Sequence, residues 1–303
     1  MLAAGVDIGS NSFRLIIADV KDDKILKIVH EERTITRLAE GLIETGRLKK
    51  ENIDHSVEVL SSFRKKINEF GVNKFKFVAT SAVREAENAS EFLDNLAKKG
   101  IYISVIDGKY EGLLTFKGVN AAIDITGKNV LIFDIGGGST ELIFVDNGKV
   151  KTVESTELGV VKLSNLYDFK KIVDGKTIAK VESNVKKVLG NFYFSKEAVQ
   201  KAAATAGTAT TVAAIDMGLK DYDYRKVNGY TIDISKIKSI LKELAGMPFE
   251  KRTSVTGLEK GREDLIIGGI IIMLSILEIV GTNKVTISDF GVREGIVIAA
   301  AND

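Results

Sequence analysis

The sequence predicts an α/β protein built from two related lobes, and three observations carry that prediction. The first is an internal repeat. Residues 7–19 read DIGSNSFRLIIAD and residues 134–146 read DIGGGSTELIFVD, with seven of thirteen positions identical at an offset of 127 residues. That offset is about the size of one domain, so two copies of one domain type is the simplest arrangement. The second is the alternation of short apolar runs with stretches of helical periodicity. The third is length: 303 residues suffice for two separate cores.

Each repeat has the same local grammar. An apolar run (Leu2–Val6; Asn129–Phe133) ends at an Asp, a Gly/Ser/Asn turn follows, and a second apolar run leaves (Leu15–Ala18; Leu142–Val145). Short apolar runs bounded by turn residues read as buried strands, so each repeat is a strand–turn–strand hairpin. Helical spacing places Ile53, Val57, Leu60, Phe63, Ile67 and Phe70 on one face, with Gly71 as C-cap. A second helix runs through Phe92–Leu96 with Ser90 as its N-cap. Further helices are expected at Ile178–Phe192, Ile234–Leu244 (stopped by Gly246 and Pro248), Arg262–Val280 and Glu294–Ala301. Strands are expected at Lys74–Thr80, Ile101–Ile106, Lys201–Thr205 and Lys284–Ser288. No linker or low-complexity tract separates the halves. The boundary is therefore expected near 115–128, giving lobes 1–120 and 121–303, with a C-terminal helix at about 291–303 packing back onto the first.

Composition excludes several function classes. Forty-three basic against forty-one acidic residues gives a net charge of +2, which favours neither nucleic acid nor a membrane surface as partner. Cysteine is absent, which removes disulfides, thiolate nucleophiles and Cys-ligated metals. His30 and His55 are the two histidines, too few for a histidine-rich metal site, and both read as surface residues. The longest apolar run, Leu265–Leu277, is thirteen residues between Asp264 and Glu278. A membrane span needs roughly 18, so this is a buried core helix. The N-terminus reaches Asp7 too soon for a signal peptide, and a cytoplasmic location is expected.

The two loops carry the chemistry. A turn rich in Gly, Ser and Asn lets successive backbone N–H groups converge on one concavity, a nest that binds anions and phosphate above all. Gly9 and Gly136, Gly137 and Gly138 permit close backbone approach. Asn11 completes the first turn, and Ser10, Ser12, Ser139 and Thr140 add hydroxyl donors. Asp7 and Asp134 end the entering strands beside these loops. A carboxylate next to a phosphate is repulsive unless a cation bridges them, and Mg²⁺ binds in that way through one or two carboxylates, waters and phosphate. Other phosphate motifs fail on detail. No G-x-x-x-x-G-K-[ST] occurs, and Gly136-x-Gly138 is followed by Glu141 where a dinucleotide fingerprint needs Gly or Ala. A third small-residue element, Thr205-Ala-Gly-Thr208, runs from a strand into a helix expected to begin near Thr208, and offers Gly207 and Thr208 at a helix N-terminus.

A duplicated Asp-Ile-Gly hairpin with a later Ala-Gly-Thr turn resembles the actin-like ATPase and sugar-kinase superfamily, whose ribonuclease H-like lobes flank a cleft. Within it the chain is similar to the exopolyphosphatase/guanosine-pentaphosphate phosphatase (Ppx/GppA) family. The resemblance runs through Asp7-Ile-Gly-Ser-Asn-Ser12, Thr36-Arg-Leu38, Gly46-Arg-Leu48, Ala79-Thr-Ser-Ala-Val-Arg-Glu-Ala-Glu-Asn88, Asp134-Ile-Gly-Gly-Gly-Ser-Thr-Glu141, Ala206-Gly-Thr208 and Asp289-Phe-Gly-Val-Arg-Glu-Gly295. Residues 165–200 carry no such motif.

That resemblance implies Mg²⁺-dependent hydrolysis, with Mn²⁺ as a substitute ion, of phosphoanhydride bonds in polyphosphate or at the 5′ γ-phosphate of guanosine pentaphosphate. Guanosine tetraphosphate is a further ligand, a short two-lobed form is expected, and a homodimer is left open. It implies a catalytic glutamate matching Glu111 in Tyr110-Glu111-Gly112. The family often has Arg two residues later, where this chain has Leu113. On the residues themselves, a carboxylate must orient or deprotonate the attacking water. Glu111 is the first choice for that role and Glu141 the second, with Asp134 and then Asp7 as metal ligands. Arg14 stands at the repeat position of Glu141, so the lobes differ in charge there. Arg14 and Arg262 are candidate ligands of distal phosphates by resemblance, and Arg84 follows a strand close to these motifs. The alternatives are a kinase of the same superfamily and a non-catalytic sensor of guanosine tetraphosphate or polyphosphate.

Overall fold

The computed structural model describes residues 1–127, 129–190 and 199–303. Its contacts divide the chain into two compact units: Met1–Ala121 with Gly291–Asp303, and Ala122–Phe290.

The first unit opens with an antiparallel meander of β1 (Leu2–Ile8), β2 (Ser12–Lys21) and β3 (Lys24–Ile35). Asp22 and Asp23 turn β2 into β3 with φ of 49° and 58°, the positive pair that a two-residue hairpin needs to match strand twist. Helices α1 (Leu42–Thr45) and α2 (Lys50–Glu69) lead to β4 (Lys74–Ala79), which lies parallel to β1. Helices α3 (Ser81–Glu85) and α4 (Ala89–Ala97), the short β5 (Ser104–Val105) and α5 (Gly108–Ala122) follow. The sheet order is β3-β2-β1-β4-β5. β1 is apolar at successive positions because both its faces are covered. Ala4, Val6 and Ile8 join the core of Leu60, Phe63 and Phe92, while Ala3 meets Val297 and Ile298.

The second unit repeats the plan. β6 (Val130–Ile135), β7 (Thr140–Asp146) and β8 (Lys149–Thr156) form the meander, turning at Asn147 and Gly148 with φ of 50° and 73°. After α6 (Val160–Leu166) and α7 (Gly175–Leu189), β9 (Lys201–Thr205) lies parallel to β6. The chain continues through α8 (Ala206–Asp216), α9 (Tyr224–Val227), β10 (Thr231–Asp233), α10 (Ile234–Ala245), α11 (Phe249–Arg252), α12 (Ile266–Ile279) and β11 (Lys284–Ile287). The order is β10-β11-β9-β6-β7-β8: a three-strand meander whose first strand is extended in parallel, as in the first unit. Every residue of α12 from Ile266 to Leu277 is buried, which accounts for its apolar run. No helix among the described residues is long and apolar enough to cross a membrane. The final helix, α13 (Val292–Asn302), belongs to the first unit and packs on β1, β2 and β4.

Several local expectations need correction. Ser90 lies inside α4, which starts after Asn88. The Asn88 side chain is engaged elsewhere, bonding the Leu48 N–H at 2.8 Å and the Leu48 carbonyl at 3.1 Å. The helix expected from Arg262 begins at Ile266, because residues 259–265 form turns of their own, with Arg262 N–H donating to Glu259 O and Leu265 N–H to Arg262 O. The strand expected over Ile101–Ile106 pairs only at Ser104–Val105. α8 starts at Ala206 rather than Thr208. His30 is half-buried, its ring 5.3 Å from that of Phe70, whereas His55 is exposed. Of the helix expected at Ile178–Phe192, Asn191 and Phe192 lie outside the described residues.

Glycine fixes one close crossing in the first unit. A Cβ on Gly118 of α5 would stand 1.9 Å from Gly291 O, and one on Gly295 of α13 would stand 1.9 Å from Leu114 O. Both obstacles are backbone and cannot rotate away. Gly118→Ala is therefore expected to destabilise by roughly 1–3 kcal/mol through overpacking. Gly175→Ala, at an open position of α7, is expected to stabilise by up to about 1 kcal/mol. Opposite shifts in thermal midpoint, followed by circular dichroism, check the pair.

Candidate active site

Strand register sets the charge pattern. In an antiparallel pair, residues directly opposite share one face of the sheet. Asp7 is opposite Arg14, and Arg14 is opposite Arg33. In the second unit Asp134 is opposite Glu141, and Glu141 is opposite Ser155. The same row thus reads Asp–Arg–Arg in one unit and Asp–Glu–Ser in the other. Asp134 is 6% exposed and Glu141 0%. Ser155 Oγ donates to Glu141 Oε1 at 2.8 Å. Two neighbouring carboxylates out of water repel each other and favour a cation beside them.

The loops following Asp7 and Asp134 are closed by the same bond. Gly9 N–H donates to Ser12 O at 3.3 Å, and Gly136 N–H to Ser139 O at 2.9 Å. Each is then tied down by the segment that follows the third strand of its meander. The N–H groups of Val160 and Val161 donate to Gly136 O and Gly137 O at 3.1 and 2.9 Å. In a trans peptide the C=O and N–H point in opposite directions. Tying those two carbonyls to the start of α6 therefore turns the N–H groups of Gly137 and Gly138 the other way, away from α6. In the first unit Ala39 N–H donates to Ser10 O at 3.0 Å, turning out the N–H of Asn11. Thr36 and Arg37 donate to Asn11 O at 3.1 and 2.9 Å. The tie requires Gly159, since a Cβ there would stand 2.2 Å from Gly137 O. Neither Gly159 nor residues 36–39 stood out in the sequence as loop supports.

Side chains complete each loop. Ser10 Oγ lies 3.0 Å from Ser81 Oγ. Ser12, like Asn11, is half-buried, and Ser139 is buried. Thr140 Oγ1 donates to Leu158 O at 2.7 Å, so its proton is committed to the fold and only its lone pairs face other groups. Parallel pairing of β1 with β4 and β4 with β5 brings Thr80, Ser81 and Arg84 to the carboxyl-end side where Asp7 and its loop lie, the usual place for ligands in α/β sheets. Arg84 Nη1 donates to Ile106 O at 2.7 Å and stands 3.8 Å from Glu111 Oε2. Glu111, in the first turn of α5, is 8% exposed. Asp107 starts that helix by accepting from the Tyr110 N–H at 2.7 Å.

In the second unit Asp134 is level with Thr205 on β9. Ala206 then adopts φ of 67°, uncommon outside glycine. Arg262 covers Gly207: a Cβ there would stand 1.8 Å from its Nη2. Arg262 is 7% exposed and pairs with Glu259. Thr208 is buried against Gly269 of α12, where a Cβ would meet its Oγ1 at 2.2 Å. Each unit therefore gathers its own set. Asp7, the 9–12 loop, Arg14, Arg84 and Glu111 lie in the first. Asp134, Glu141, the 136–140 loop, Gly207, Thr208 and Arg262 lie in the second.

Comparison with known proteins agrees with this frame. The chain is 30% identical over 303 residues to the bifunctional 3-dehydroquinate synthase/phosphatase of Fusobacterium nucleatum, covering 95% of this chain but 45% of that protein. Exopolyphosphatase 2 of Mycobacterium tuberculosis is 28% identical over 318 residues, with 98% of each chain covered. The crystal structure of the Aquifex aeolicus Ppx/GppA family member superposes with a TM-score of 0.85 at 33% identity, over 100% of this chain and 98% of that one. The Ppx/GppA phosphatase family profile matches residues 16–302, from inside the first strand–loop–strand repeat almost to the last residue, and the chain belongs to that family.

Proposed function

We propose that the chain is a Mg²⁺-dependent phosphoanhydride hydrolase that releases the terminal phosphate of polyphosphate or the 5′ γ-phosphate of guanosine pentaphosphate. The observation that supports this most is the duplicated strand-end carboxylate and amide nest, carrying Glu141 in one copy and Arg14 in the other. A phosphate chain needs its charge neutralised, its phosphorus positioned and a water activated. The nests and Arg14, Arg84 and Arg262 are suited to the first two tasks.

The donor set fits the ion. Among the described residues no group of three His, Asp or Glu side chains forms a metal cage. Mg²⁺ shared with a phosphate does not need one, since one or two carboxylates suffice. Asp134 with Glu141 offers such a pair, all oxygen, as Mg²⁺ or Mn²⁺ prefers. Asp7 faces Arg14 and is the weaker ligand. When bound, the ion offsets the phosphate charge. Glu111 is assigned the water. It accepts a proton as the water oxygen attacks the terminal phosphorus, and the bond to the bridging oxygen breaks. Arg84, fixed by Ile106 O, holds one side of that carboxylate.

Glu111→Gln is expected to lower phosphate release by about 10²–10⁴ while substrate binding persists. Release from long-chain polyphosphate and from guanosine pentaphosphate, compared side by side for both proteins, checks it. Release no faster than background for both proteins on both substrates would remove the hydrolase assignment, equal release above background would remove the role of Glu111, and binding without turnover would favour a sensor. Chelation by EDTA should abolish release and added Mg²⁺ should restore it. Gly159→Ala, which pushes into Gly137 O, is expected to raise KM by about tenfold, the equivalent of one to two lost hydrogen bonds. The same variant should lose the thermal protection that inorganic phosphate gives the wild type.

A further inference from the structure

Among the described residues Arg252 is the largest fully buried side chain, 0% exposed, and no part of the hydrolysis reading uses it. A buried guanidinium is costly unless its N–H groups find acceptors. Arg252 finds them on backbone carbonyls from three separate stretches of the second unit. Nε donates to Leu244 O at 2.9 Å, at the end of α10. Nη2 donates to Lys171 O at 2.9 Å. Nη1 donates to Phe169 O and, at 3.1 Å, to Glu263 O. Burial pushes the guanidinium below its ordinary range, against the pull of the Asp264 and Glu250 carboxylates.

The last of these bonds matters for the site. Glu263 is the neighbour of Arg262, and the turn that carries both is pinned at several points. Gly261 has φ of 85°, and its N–H donates to Glu263 Oε2 at 2.8 Å. Leu265 N–H and Ile266 N–H both donate to Arg262 O at 2.9 Å. The guanidinium that this turn presents lies tightly over Gly207, where no side-chain atom fits. With so little clearance, a small displacement of the turn moves Arg262 off the start of α8.

We infer that Arg252 is a positioning residue for Arg262: by clamping Glu263 O to the backbone at 169–171 and 244, it fixes where the Arg262 guanidinium meets a substrate phosphate beside Gly207 and Thr208. This rests on the assignment of Arg262 as a phosphate ligand. Lysine cannot replace Arg252, because one ammonium does not span three chain segments as a planar fork does.

The test is a set of double-mutant cycles read in steady-state phosphate release from polyphosphate. Arg252→Lys and Arg252→Met are each expected to raise KM about tenfold with kcat within about twofold of wild type. In an Arg262→Ala background the same substitutions should change KM by less than about twofold. Gly261→Ala disturbs the turn from its other end without touching the clamp. It should show the same dependence on Arg262, and it keeps the test open if the Arg252 variants do not fold. An equal KM increase in both backgrounds, or a loss of kcat at unchanged KM, overturns the proposal in favour of a purely architectural Arg252. An unchanged KM for Arg262→Ala alone removes the phosphate-ligand assignment itself, and with it this inference.

Discussion

Each loop stands on hydrogen bonds accepted by its own carbonyls. Fixing a residue's backbone costs about 1–2 kcal/mol, and glycine loses more freedom than any other residue. Three consecutive glycines at 136–138 would not hold one shape unaided. The closing bond from Gly136 N–H and the two bonds donated by Val160 and Val161 each contribute about 0.5–1.5 kcal/mol. That is enough to offset much of the ordering cost before any ligand arrives. Donors ordered in advance need no reorganisation when charge reaches them. The first unit uses another segment for the same purpose, with residues 36, 37 and 39 in place of the start of α6. What recurs between the two copies is a constraint on carbonyl direction, and the supporting sequences share nothing.

Duplication also explains how one frame came to hold opposite charges. The strand-end Asp, the closing bond and the three-strand meander are common to both units. The positions across the sheet from that Asp are free to differ, because cross-strand neighbours affect the row and leave the backbone unchanged. Arg14 with Arg33 makes one row cationic beyond Asp7, and Glu141 with Ser155 makes the other anionic beyond Asp134. Two copies of one hairpin provide both kinds of row with side-chain changes only.

How much of this was legible depends on where the signal sits. The hairpins and their Asp residues are written in consecutive letters, and the apolar run of α12 declares a buried helix. β3 is harder to see. Its apolar residues fall at 25, 26, 28, 29 and 35, which fits no period of two. The pairing shows why: register shifts skip Val29 between His30 and Ile28, and Leu26 between Lys27 and Ile25. Two bulges break the alternation. β8 is announced by Asn147-Gly148, a strong hairpin signal, although its own alternation is weak. Gly159 and Arg252 could not be found at all, because their roles lie in contacts with Gly137 and with residues 169, 171, 244 and 263, distant in sequence. Glu111 is legible only through the family resemblance. Its spacing within α5 is that of any helix carboxylate, and its burial appears only once the chain is folded.

Buried charge near the site has to be carried by the rest of the fold. In the second unit Asp134, Glu141, Arg252, Arg262 and Glu263 are all buried, and the effective cost of taking an ion out of water is several kcal/mol before its partners are counted. Hydrogen bonds to carbonyls and neighbouring side chains recover part of that cost. The remainder falls on the core. α12 alone buries nine large side chains: Ile266, Ile267, Ile270, Ile271, Ile272, Met273, Leu274, Ile276 and Leu277. Each contributes about 1.5–3 kcal/mol relative to an exposed position. The same helix sits directly behind the charged elements, since Gly269 receives Thr208 and the turn carrying Arg262 leads into its first residue. A helix apolar on every side is wasteful at a surface and useful here. It anchors the turn that presents Arg262 and adds its apolar burial directly behind the buried Arg262, Glu263 and Thr208.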